Sequence, residues 1–328
     1  MNISARDKLA QEISPPVDSR IMDFQDFEEM VTKDPFLLLR SISQIFYDMV
    51  KKNLIPLEDK YKDDPQRIGY TPYDCTPLFV ENIDRPFFAD MIFANNLAMV
   101  VETLKKNAQQ AKIQIFRGPP GSGKSTFLNA ILKKFEDYSA TPEGFVPEVV
   151  WKINIPRINA ELDQEKELEI PCPNHDHPIL LIPKRYRKKY LSELLADHDK
   201  QTKEQIFQNN EFNWIFKKEP CTICASIWDA LRSQISDIHE IFSMIKVRPR
   251  KFDRRTGNGI SVFGSGDKIS KEDDVITDKP LQKKIDRVFG SSNKIHYVFS
   301  SYAKTNNGIY ALMDIKENNV PRLWDLHN

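Results

Sequence analysis

The stretch Gly118-Pro119-Pro120-Gly121-Ser122-Gly123-Lys124-Ser125, followed by Thr126, has the residue types and spacing of a phosphate cradle. It meets the pattern G-x-x-x-x-G-K-[ST]. Its glycines let the backbone curl until successive N–H groups face inward and form a nest for anionic oxygens. A helix beginning at Ser125 would add its positive end. In such a loop Lys124 reaches the β- and γ-phosphates and the Ser125 hydroxyl ligates Mg²⁺, while Thr126 supports the loop or touches the α-phosphate. The expected ligand is therefore ATP with magnesium.

Hydrolysis needs more than a cradle. An acidic residue at the end of a neighbouring strand must hold the magnesium shell. The best match is Asp314, which closes the run Gly308–Asp314, GIYALMD. Lys124 and Asp314 are thus the candidate catalytic pair. Ile315 stands next to Asp314, and the nearest downstream glutamate is Glu317. An ordinary solvated aspartate at an element end reads equally well there.

A second chemistry is written in cysteine. Cys172-Pro-Asn-His175 and Cys221-Thr-Ile-Cys224 are two pairs with the same two-residue gap, which lets both side chains of a pair reach one ion from a tight knuckle. Three thiolates and an imidazole would make a closed tetrahedral site, and the soft ligands favour Zn²⁺ in a structural role. His177 competes with His175, whose spacing matches better. Cys75 stands apart and reads as a small packing residue. Two basic runs, Lys184–Lys189 and Arg248–Lys251 with Arg254 and Arg255, have the form of solvated faces. One of these arginines is also a candidate for a phosphate contact.

Elements to position these groups follow from apolar spacing. Asp23 to Lys52 reads as two amphipathic helices split near Pro35, and Asp90–Asn107 as a third. Ile113–Phe116 reads as a buried strand leading into the loop, and Ser125–Phe135 as the helix after it. Val149–Ile155 and Ile295–Phe299 are further strands, with Ile223–Val247 helical. Residues 157–225 form the cysteine- and histidine-bearing insert.

The chain has 328 residues, 40% of them hydrophobic, with 47 basic and 47 acidic side chains. Zero net charge gives no support to a nucleic-acid or membrane partner. The N-terminus lacks an apolar signal segment, and no apolar run approaches membrane-spanning length. Four cysteines are too few for a disulfide scaffold, so a reducing, cytoplasmic setting is expected.

Taken together, Pro86–Asp90, GPPGSGKST, CPNHDHPILLIPKRYR with EPCTIC, and SSYAKTNNGIYALMDIKEN resemble the N-terminal AAA+ module of the PrkA family of serine protein kinases. The likeness runs from about Phe87 onward. It implies an α/β fold of the P-loop NTPase/AAA+ kind, a parallel sheet flanked by helices, over residues 86–328. An N-terminal helical region, 1–85, would precede it, and the zinc-binding insert would span about 157–225. It further implies ATP hydrolysis, protein kinase activity, a protein substrate or partner, and a homo-oligomer or second chain. Ala311 departs from the family's acidic run. The chain stops at Asn328, where a complete module would continue with a sensor strand, arginine finger and helical lid. A protein-remodelling or protease-associated ATPase and a nucleotide sensor without turnover are the alternative readings.

Overall fold

The computed structural model describes residues 21–59, 69–106, 114–162, 165–264 and 275–313. A two-residue strand, β1 (Met22–Asp23), leads into α1 (Phe24–Lys33) and then α2 (Ile42–Asn53). Each helix begins on a side chain that satisfies backbone donors. The Asp23 N–H donates to Asp26, and the Ser41 N–H donates to Gln44 Oε1 at 2.7 Å. Pro35 opens a single helical turn between them, as an N-terminal proline can. Next come α3 (Met91–Lys105) and α4 (Lys124–Ser139).

The strands β2 (Pro147–Asn154) and β3 (Glu167–Pro171) follow, then α5 (Lys184–Leu194) and α6 (Thr222–Gln234). The described chain closes with β4 (Ile245–Pro249), β5 (Ile260–Phe263), α7 (Lys279–Phe289) and β6 (Ile309–Leu312). The span expected to be helical from Ile223 to Val247 thus divides. Helix α6 gives way to one short helix, and β4 takes the last three residues of the span.

The fold is mixed α/β, but its four-stranded sheet, in the order β1-β4-β2-β3, is antiparallel throughout. A parallel sheet is therefore not what these strands make. Trp151 pairs with Ile170 on one side and with Ile245 on the other. The connection explains the direction. The link from β2 to β3 holds a one-turn helix, Ile155–Ile158, and a 3₁₀ turn, Ala160–Leu162. There the chain turns back on itself, so that Asn154 lies opposite Glu167 and the two strands pair antiparallel. A parallel pair does form between β5 and β6, with Ile260 opposite Ile309 and Phe263 opposite Leu312. The strand expected before the phosphate loop is absent from residues 114–118, and Ile113 lies outside the described residues.

Two hydrophobic cores result. The first joins α1 to the sheet through Phe27, Val31, Trp151, Ile170 and Val247, and it includes Leu191 of α5 and Ile227 of α6. Residues of the cysteine-bearing insert thus pack into the sheet's own core. The second joins α2, α3 and α4 through Met49, Leu97, Val101, Ile131 and Phe135, and takes in Phe252, Ile260 and Ala311. No helix among the described residues is long and apolar enough to cross a membrane.

Several residues of the basic runs are internal. Arg187, on the face of α5 that carries Leu191, is fully buried and donates to the carbonyls of Leu180, Ile182, Ile215 and Lys218. Arg250 is also buried and donates to the carbonyls of Asn307 and Lys304. Arg254 reaches from the loop after β4 to α4, bonding Glu136 and the Asn129 carbonyl.

Candidate nucleotide loop and metal centre

The glycine-rich loop 118–123 lies at the N-terminus of α4, the helix anticipated after it. Gly121 and Gly123 both adopt left-handed backbone (φ 77° and 80°), which an L side chain resists. A Cβ at Gly123 would also press on the Phe87 ring at 3.1 Å. Gly123 caps the helix without a side-chain acceptor, so the first turn keeps backbone donors for a ligand. Lys124 folds inward. Its Nζ donates to the carbonyls of Gly118 at 2.8 Å and Pro119 at 2.7 Å, and lies 3.1 Å from Ser122 Oγ. The cation thus sits among the loop's own oxygens at the mouth of the helix. Residues 118–122 and Ser125 are exposed, and Thr126 is half-buried.

Beneath the loop is a floor of phenylalanines. Phe127, in the first turn of α4, meets Phe93, Phe116, Phe79 and Phe87 with ring centroids 4.9 to 5.6 Å apart. These edge-on and tilted contacts stiffen the base of the loop. Strand β6, which leads toward Asp314, contributes Ala311 to the same core as α4. Asp314 and Glu317 themselves lie outside the described residues.

The three insert cysteines come together, as their spacing anticipates. Cys172 follows β3 and Cys221 caps α6, with Cys224 in that helix's first turn. The Sγ atoms of Cys172 and Cys221 are 3.7 Å apart. The fourth member is Asp176, and the ligand atoms of Cys172, Asp176, Cys221 and Cys224 all lie within 4.8 Å of one another. This group fits a metal ion, zinc included.

His175 is a correction. It takes left-handed backbone (φ 52°) in the knuckle, and its Nδ1 pairs instead with Glu148 Oε2 at 2.5 Å. Glu148 Oε1 in turn accepts from Arg248 Nε at 2.6 Å. His177 is engaged too. It is buried against Phe27 and Trp214, and its Nε2 donates to the Leu38 carbonyl at 2.8 Å while Nδ1 accepts from the Ile179 N–H. Burial pushes its pKa down to about 4, so the ring is neutral. A search for cysteine and histidine at equal gaps passes over Asp176. The signal was present in CPNHDHP as a carboxylate four residues after the first thiol.

Without a cation this cluster is electrostatically uneasy. Burial pushes Asp176 up to about 7, with the charge of Cys221 adding to it. Burial likewise raises Cys172. Cys224 is raised chiefly by its neighbours Cys172 and Cys221. Cys221 is pushed down, because Cys172 and Cys224 donate to it. A divalent ion at the centre reverses the sign for all the raised groups.

No protein-family model, curated protein or solved structure matches this chain.

Proposed function

We propose that the chain is an ATP-binding AAA+ module of a PrkA-like serine protein kinase, holding ATP·Mg²⁺ at residues 118–126. The observation that carries this reading is the Lys124 ammonium clasped by the Gly118 and Pro119 carbonyls at the start of a helix whose first turn has no side-chain cap. An arriving triphosphate would exchange those carbonyls for phosphate oxygens and add the free N–H groups of the first turn. The exposed Ser125 hydroxyl is the magnesium ligand in this scheme, and Asp314 is the acidic partner that would support turnover. Zinc is the ion assigned to the cysteine cluster, in a structural role. Transfer to a protein serine is the activity that the resemblance attaches to the family, and this chain's part in it is the nucleotide site.

The test is Lys124→Ala with calorimetric titration of ATP·Mg²⁺. Loss of a charge-assisted contact worth about 3 kcal/mol should weaken binding about a hundredfold with the fold intact. Affinity within threefold of wild type would remove the phosphate-loop assignment. Tight binding without phosphate release in the wild type would favour a nucleotide sensor. Ring assembly on adding ATP would favour a remodelling ATPase.

A further inference from the structure

Each of the four clustered ligand atoms receives one N–H. The Asp176 N–H donates to Cys172 Sγ at 3.3 Å, and the Cys224 N–H to Cys221 Sγ at 3.4 Å. The indole Nε1–H of Trp151, at the centre of the sheet, donates to Cys224 Sγ at 3.4 Å. The Cys221 N–H donates to Asp176 Oδ2 at 2.6 Å. A neutral thiol is a poor acceptor, and donors aimed at three sulfurs and a carboxylate suit four anions. Four anions, three of them buried, require a cation.

Three thiolates and a carboxylate around Zn²⁺ leave two negative charges. Two cations lie close enough to act on them, Arg250 on Cys172 and Lys218 on Asp176. Both also hold Asn307. Lys218 Nζ donates to Asn307 Oδ1 at 2.7 Å, and Arg250 donates to the Asn307 carbonyl at 2.5 Å. The amide of Asn307 in turn grips the knuckle, donating to the carbonyls of Asn174 at 3.0 Å and His175 at 3.2 Å. Asn307 has left-handed backbone (φ 51°) and stands two residues before β6. Its side chain and carbonyl thus tie the start of that strand to the loop between Cys172 and Asp176.

We propose that Cys172, Cys221 and Cys224 with the Asp176 carboxylate form a closed zinc site, and that this site anchors β6 through Asn307. This rests on the zinc reading of the cluster and is independent of the nucleotide reading. His175 stands outside the ligand set, since neither of its ring nitrogens belongs to the group of atoms within 4.8 Å of one another, and its Nδ1 pairs with Glu148. Filling the site sets the knuckle carbonyls, and those carbonyls set Asn307. The ion therefore acts on the strand that runs toward Asp314.

Metal content and hydrogen exchange test the two halves separately. The purified chain, reloaded with zinc alone, should carry about one equivalent. Asp176→Asn should bind at least roughly tenfold more weakly, while His175→Gln keeps its zinc. X-ray absorption on the wild type needs no variant to fold. It should give three sulfurs near ~2.3 Å and one oxygen near ~2.0 Å, without the outer-shell scattering of imidazole. An imidazole signature, or zinc lost from His175→Gln and kept by Asp176→Asn, overturns the ligand set. A wild type that takes up no zinc removes the metal reading itself.

For the anchor, chelation should speed exchange of the β6 amides at least roughly tenfold. Asn307→Ala should do the same while keeping its zinc. Unchanged β6 exchange in the Asn307→Ala protein overturns the anchor even if the zinc site stands.

Discussion

Replacing Arg187 by methionine offers a quantitative test of how the first core is held. Its guanidinium closes two open helix ends. Leu180 and Ile182 lie at the end of a short 3₁₀ turn, and Ile215 and Lys218 at the end of helix Asn213–Lys217, so all four carbonyls are of the kind that a helix leaves unpaired. Among the described residues no carboxylate bonds this arginine, and burial lowers its pKa to about 10. Methionine fills much of the volume but offers no donor. Four orphaned carbonyls at about 1 kcal/mol each come to about 4 kcal/mol, and relief of the buried cation returns some of that. The expected net loss is about 3 kcal/mol. Arg187→Lys should lose about 2 kcal/mol, because an ammonium has three donors and no fork. Urea titration followed by circular dichroism should show a lower midpoint at constant slope. The exposed neighbour Lys188→Met serves as control. If Arg187→Met unfolds within ~0.5 kcal/mol of that control, the account of the clasp is wrong.

Gly308→Ala should be costly, since its Cβ would fall 2.1 Å from the Gly259 carbonyl oxygen, the acceptor of the Ile309 N–H. A destabilisation of ~1–3 kcal/mol and faster exchange at Ile309 are expected, and wild-type exchange there would refute the close approach. Arg254→Met removes the bonds to Glu136 and to the Asn129 carbonyl from α4. The half-exposed pair is worth about 1 kcal/mol, so the melting midpoint should fall modestly, and more at low salt than at high.

The glycine turn at 121–123 and the helix behind it were legible because their signals are local. Glycine positions, a lysine and a 3.6-residue apolar stripe act within about twenty residues. The cysteine knuckles were legible for the same reason. Asp176 was not, because its selection over His175 depends on a backbone reversal at His175 and on Glu148, which is 27 residues away. Strand direction was also hidden. Val149–Ile155 announced itself as apolar, but its pairing with Glu167–Pro171 and Ile245–Pro249 is decided by the connections. Arg187 was the least readable residue. Inside KRYRKK it looks like one charge among many, and only the packing of α5 shows that it points inward while its neighbours Tyr186 and Lys188 are exposed.

The division of aromatic residues between the two cores determines what light can report. Trp151, Trp214 and Trp228 lie in or against the core built on the sheet. Among the described residues the core under the glycine-rich loop holds phenylalanine and tyrosine but no tryptophan, and Trp324 lies outside the described residues. Indole emission is therefore a gauge of one half of the molecule. It should respond to events at Cys224, whose sulfur the Trp151 indole touches, and should be nearly blind to a ligand entering the loop. A fluorescence melt and a far-ultraviolet dichroism melt would coincide only if the two cores unfold together, so comparing them measures the cooperativity between the two halves directly.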